Sequence, residues 1–130
     1  MVHINPDAET LAQMEDRDPD EPVIMVNLVK FRDMAAEGFG VDGMTGQEAY
    51  YYYGKKFEEL DLGFVNEILW AGPAETIIGD EDWDTVTVIR YPTRGNLVTM
   101  FKNPDFQALL RIRAAGLKDS RLIEMSPTTA

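Results

Sequence analysis

An asparagine at position 27 stands at the centre of the run Glu21-Pro22-Val23-Ile24-Met25-Val26-Asn27-Leu28-Val29-Lys30-Phe31-Arg32-Asp33. A carboxamide among large aliphatics must find partners, because burial without a hydrogen bond is costly, and it has both a donor and an acceptor to offer a ligand. Satisfaction by a neighbouring strand or a trapped water is the more frequent fate of such a group. Glu67 alternates with apolar neighbours on a strand beside the one that holds Arg90. An internal ion pair, or an acid poised by burial to move a proton in a dry pocket, is one reading; exposure at a sheet edge is the commoner outcome. Trp70, Trp83 and Tyr91 offer aromatic surface to a planar ligand, although large aromatics on strands usually just pack. Arg111 and Arg113, late in the last helix, have the chemistry to hold an anion such as a carboxylate; near Asp119 an arginine more often makes a structural ion pair.

Several chemistries fall away. The chain has no cysteine, which removes thiolate nucleophiles, disulfides, iron–sulfur clusters and Cys-based zinc sites. His3 is the only histidine, so a Ser-His-Asp triad, a multi-histidine metal centre and a core haem ligand are unsupported. Gly38-Phe39-Gly40-Val41-Asp42-Gly43 has the letters of a dinucleotide fingerprint, but it sits several residues past its strand and its helix begins only afterwards. Asp16-Arg17-Asp18-Pro19-Asp20 and Asp80-Glu81-Asp82-Trp83-Asp84 echo calcium loops without glycine at the sixth position or glutamate at the twelfth. No cofactor and no bound metal are expected.

These groups need a scaffold, and 130 residues are enough for one domain that folds without staples. We expect residues 1–21 to form a helix and linker, 22–125 the core and 126–130 a frayed polar tail. Twelve basic residues against 23 acidic ones give a formal charge of −11, which argues against nucleic acid and anionic membranes as partners. No apolar run reaches the length of a membrane span, and the start lacks the basic and apolar regions of a signal peptide, so a cytoplasmic location is expected.

Asn5-Pro6-Asp7 predicts a helix over about 6–15, with Asn5 as its cap. The apolar run predicts a strand buried on both faces. Residues 33–44 read as a glycine-punctuated loop, and Tyr50, Tyr53, Phe57 and Leu60 predict a helix over about 45–62 closed by Gly63. The run Tyr50 to Tyr53 wraps most of that helix, so at least one phenol must leave the buried stripe. Residues 64–71 read as a strand broken by Gly72-Pro73, with a short extension over 74–78, and 83–91 as a central strand stopped by Pro92. Thr93 caps a helix that Asn103-Pro104-Asp105 interrupts and restarts, Gly116 closes it, and 120–125 is a last strand.

After the first helix the order is β-α-β-β-α-β, the ferredoxin-like arrangement: an α+β fold with a four-stranded antiparallel sheet of order 4-1-3-2 and helices on one side. The other side is left bare although the first strand is apolar on both faces. A second copy of the sheet is the simplest cover, so a homodimer through the sheet faces is expected.

Five blocks carry a resemblance: Val26-Asn27-Leu28-Val29-Lys30-Phe31, Arg90-Tyr91-Pro92-Thr93-Arg94, Asn103-Pro104-Asp105-Phe106, Arg113-Ala114-Ala115-Gly116-Leu117 and Asp119-Ser120-Arg121-Leu122-Ile123. Over about residues 22–125 the chain resembles domain-of-unknown-function family 1330, part of the dimeric α/β-barrel superfamily. The resemblance implies ferredoxin-like subunits paired sheet to sheet. That superfamily includes cofactor-independent monooxygenases, muconolactone isomerases, haem-using enzymes and plain ligand-binding domains, so it assigns no reaction by itself.

The expected function is binding of a small apolar or aromatic molecule between sheet and helices, with Asn27 orienting it and Trp70, Arg90 and Tyr91 in contact with it. The alternatives are a cofactor-independent monooxygenase or isomerase of the same fold, using Asn27 and either Glu67 or a tyrosine, and an assembly module with a filled core.

Overall fold

The computed structural model describes residues 3–126. Eight elements follow one another: α1 (Ala8–Glu15), β1 (Val23–Phe31), α2 (Gly46–Glu58), β2 (Glu67–Pro73), β3 (Thr85–Tyr91), α3 (Arg94–Lys102), α4 (Pro104–Gly116) and β4 (Leu117–Met125). The four strands form one antiparallel sheet in the order β2-β3-β1-β4, the expected 4-1-3-2 read from the other edge. Among the described residues no helix is long and apolar enough to cross a membrane. The tail expected from residue 126 lies, beyond Ser126, outside the described residues.

Local chemistry explains most boundaries. Thr45 and Glu48 form a reciprocal capping box at the start of α2. Thr93 caps α3, and the Asn103 side chain accepts from the amides of both Asp105 and Phe106, which splits the last helical stretch in two as expected. Four expectations are corrected. The cap of α1 is Asp7, which accepts from Thr10 N at 2.8 Å; Asn5 is engaged elsewhere, by Arg113. Helix α2 ends at Glu58, before Gly63, because Asp61 takes the Gly63 amide at 3.1 Å and turns the chain there with Gly63 at φ +79°. Gly72-Pro73 does not break β2, which extends through them opposite Val86 and Thr85; an edge strand tolerates a proline whose missing N–H would face solvent. Residues 74–78 are irregular, and Ile77 and Ile78 are almost fully exposed.

Alternation on β1 divides the sheet. Val23, Met25, Asn27 and Val29 face the helices; Ile24, Val26, Leu28 and Lys30 face away. The main core joins Val23, Met25 and Tyr91 to Leu97, Met100, Phe101 and Phe106. The helices approach β1, β3 and β4, whereas β2 is exposed at six of its seven positions. Helices α2 and α4 meet at two glycines: a β-carbon on Gly46 would lie 2.7 Å from Gly116 O, and one on Gly116 would lie 2.6 Å from Gly46 O. This contact holds the first turns of α2 against the end of α4, with Tyr50 one turn beyond Gly46 and Arg113 one turn before Gly116.

Candidate functional site

Between the helix-facing side of the sheet and the helices lies a cavity of about 1280 Å³. Met25, Asn27, Thr87, Ile89 and Tyr91 form its floor, Tyr50, Tyr53, Phe57, Phe106 and Arg113 its helical wall. It extends toward the uncovered β2, where Val65 and Ile68 are well exposed, and this side is its mouth.

The polar end of the cavity is built around Asn27. Arg113 Nη2 donates to Asn27 Oδ1 at 3.1 Å, and Asn27 Nδ2 donates to Tyr50 Oη at 3.2 Å. A guanidinium only donates, so the amide oxygen must face Arg113 and the amide nitrogen must face the phenol. The Tyr50 oxygen therefore accepts, and its own O–H proton remains available. Arg113, only 5% exposed, also donates through Nη1 to Ile4 O at 2.6 Å and to Asn5 Oδ1 at 3.0 Å. The segment that supplies these acceptors is fastened along β4: Ser120 N donates to His3 O at 2.7 Å, and Ser120 Oγ donates to His3 O and Ile4 O.

Burial raises the pKa of Tyr50, opposed by Arg113 and by the Asn27 hydrogen bond. Burial likewise raises Tyr53, and it pushes Tyr91 up to about 12 against a hydrogen bond with Asn66. Tyr50, Tyr53 and Tyr91 are therefore neutral O–H groups near neutral pH.

Of the four expected ligand contacts, the structure brings together Asn27 and Tyr91 and sends Trp70 and Arg90 to the opposite face. Consecutive strand residues point to opposite sides, so Arg90 cannot share a face with Tyr91. Glu67 stands opposite Arg90 in the β2–β3 register on that same outer, exposed side, away from the cavity and any role as a base in it. Trp70 is displaced by a bulge: Ile68 pairs with Ile89, but Trp70 pairs with Val88, so Leu69 is the extra residue. Had the alternation continued unbroken from Ile68, with Leu69 opposite Val88, Trp70 would oppose Thr87 on the cavity floor; with the bulge, the indole is 79% exposed on the outer face. Trp83 is buried apart from the cavity floor, donating to Glu81 with the Arg121 guanidinium over its ring. Among the four consecutive tyrosines, Tyr51 is the one that leaves the stripe.

Arg113 is the group that the reading of isolated residues undervalued. Asp119 does not pair with it; that carboxylate takes Arg121 Nη1 at 2.7 Å and the His3 amide. Arg111 is exposed. The available signal was spacing: Arg113 precedes Gly116 by one turn, and a glycine buried at a helix end allows another helix to come close.

Fold and cavity together define an α+β protein whose sheet supports a mostly apolar chamber on its helical side, with an Arg-Asn-Tyr cluster in its lining. Two solved structures resemble it over nearly the whole chain. The RPA0582 protein, of unknown function, from Rhodopseudomonas palustris is 36% identical, with a TM-score of 0.83 and complete coverage of both chains. A structure of methylated RPA0582 protein gives 34% identity and a TM-score of 0.87, covering 98% of this chain and 96% of that one. The chain belongs to the family of RPA0582. A dimeric protein of unknown function and ferredoxin-like fold from Bacteroides fragilis shares the fold at 14% identity, with a TM-score of 0.56 over 84% of this chain and 99% of that one. No family model and no curated protein matches the sequence.

Proposed function

We propose that the chain is a cytoplasmic member of domain-of-unknown-function family 1330 that binds a small apolar or aromatic molecule in the helix-side cavity and acts as a homodimer paired through the outer sheet faces. The cavity itself is the observation that supports binding: about 1280 Å³, with aromatic and aliphatic walls, polar groups at its margins and the Asn27-Arg113-Tyr50 cluster within it. Asn27 orients the ligand and Tyr91 supplies wall.

The dimer is supported by what the outer face presents. Ile24, Val26, Leu28, Val86 and Val88 form its centre, flanked by Trp70 and by Ile123 and Met125, each 51% exposed. A contiguous apolar surface of this kind marks an interaction site. Trp70, Arg90 and Glu67 then belong to the contact between copies, with Glu67 and Arg90 at its rim.

Native mass spectrometry of the protein as purified, together with melting in the presence of 2-naphthol, tests the cavity. A bound small molecule or a raised melting temperature, diminished by Asn27→Ala, is expected; a ligand-free chain whose melting is unmoved refutes binding. Light scattering at micromolar concentration tests the dimer: a particle of twice 14.7 kDa is expected and a lone 14.7 kDa particle refutes it. Trp70→Glu should shift that mass toward the single chain.

A further inference from the structure

We infer that the molecule held in this cavity is an apolar or aromatic monocarboxylate, whose carboxylate is bound by Arg113 with the help of the Tyr50 hydroxyl. The inference rests on the cavity-binding reading and names its ligand class.

Its basis is a buried charge without a counter-charge. Arg113 is 95% shielded from water, yet among the described residues no carboxylate lies within ion-pair reach of it. Its acceptors are a backbone carbonyl and two asparagine side chains, with the Tyr50 oxygen as a looser partner, all neutral. The other deeply buried arginine shows the usual solution: Arg94, 2% exposed, is held by Glu124 at 2.7 Å and Glu21 at 3.2 Å. Buried guanidinium groups are ordinarily paired, because desolvating a lone ion is expensive. Glu124 also borders the cavity, but Arg94 and Arg17 both hold it at 2.7 Å, so it is not available to neutralise Arg113. In a chain of net charge −11, a solitary buried cation is conspicuous.

The free valences match one ligand group. Nη1 is used twice and Nη2 once, while Nε has no acceptor among the described residues. Every fully shielded side-chain nitrogen or oxygen among the described residues has a partner, so Nε is not fully shielded, and the cavity is what Arg113 lines. Nε and Nη2 form the side edge of the guanidinium, the fork that takes both oxygens of a carboxylate. The Tyr50 proton, left over by the fixed orientation of Asn27, adds a third donor. Three donors and one positive charge suit a monoanion; a phosphate dianion would need more of both. Beyond this end the wall is Phe57, Phe106, Tyr53, Met25 and Tyr91, which fits an apolar or aromatic body.

Calorimetric titration of the intact protein with 2-naphthoate and with its neutral analogue 2-naphthamide decides the matter. The carboxylate is expected to bind about tenfold or more tightly, the worth of one charge-assisted hydrogen bond. Arg113→Gln should bring the ratio of the two affinities down to near one, while Arg111→Gln, at an exposed position of the same helix, should retain the preference. Should Arg113→Gln fail to fold, the comparison on the unmodified chain remains decisive. Equal binding of the two probes overturns the carboxylate while leaving the cavity reading intact; absence of binding by both at millimolar concentration overturns both.

Discussion

Replacing Asn27 by leucine isolates the polar role of the amide, because the two side chains share a branched skeleton of four heavy atoms and no void is created. The substitution removes the acceptor of Arg113 Nη2 and the donor to Tyr50 Oη. A hydrogen bond to a charged group contributes about 1.5–3 kcal/mol and a neutral one about 0.5–1.5 kcal/mol. Apolar burial by leucine returns about 1 kcal/mol at this half-buried position. The net expectation is a loss of about 2 kcal/mol, which for a chain of 130 residues lowers the melting temperature by roughly 7 °C. Urea unfolding at fixed protein concentration should show the same loss as a lower midpoint with an unchanged slope. Asn27→Asp provides the contrast: it places a carboxylate between the guanidinium and the phenol, so stability at neutral pH should approach that of the original chain. Arg113 would depress the folded-state pKa of that carboxyl, so its contribution is fully present above the ordinary aspartate pKa of about 4 and is lost as pH falls through the lower folded value. The same variant should no longer prefer 2-naphthoate, its own carboxylate having taken the site. If Asn27→Leu is as stable as the original chain, within about 0.5 kcal/mol, Asn27 is not what satisfies Arg113 and the account of the cluster is wrong.

Two further outcomes test the scaffold and the phenols. Gly116→Ala forces a β-carbon to within 2.6 Å of Gly46 O, and separating α2 from α4 should cost about 1–3 kcal/mol in urea unfolding and weaken any ligand that depends on Tyr50 and Arg113 together; an unchanged midpoint would contradict this close packing. Spectrophotometric titration should show phenolate absorbance still incomplete at pH 11, because burial holds Tyr91 up to about 12. A phenol with a raised folded pKa contributes stability that is complete below its unfolded pKa of about 10 and declines as pH rises above it, so alkaline unfolding should begin in that window, and Tyr91→Phe should reduce the pH dependence there.

Much of the architecture was readable because its causes are local. The β1 run is apolar on both alternate faces and has no other stable place than a sheet interior. Thr45 with Glu48, Thr93, and Asn103 with Pro104 announce helix starts through groups a few residues apart. Where local signals compete, spacing does not decide: Asp7 and Asn5 both have the chemistry of a cap, and only the position of Arg113 assigns Asn5 elsewhere. The site was legible only in part. Asn27 and Tyr91 declare themselves by type and strand position, whereas Trp70 was misplaced by a single inserted residue, Leu69, whose bulge reverses the face of everything after it.

The chain's own letters thus determined the order of elements, the antiparallel sheet and the two-faced greasiness of its first strand, since periodicity and capping act within a few residues. Tertiary structure alone decided which side of the sheet each β2 side chain takes, and that Asn27, Tyr50 and Arg113 meet. That meeting joins residues as many as 86 positions apart through a glycine-to-glycine approach of two helices, a contact whose energetics depend on the whole packed layer and on no local pattern.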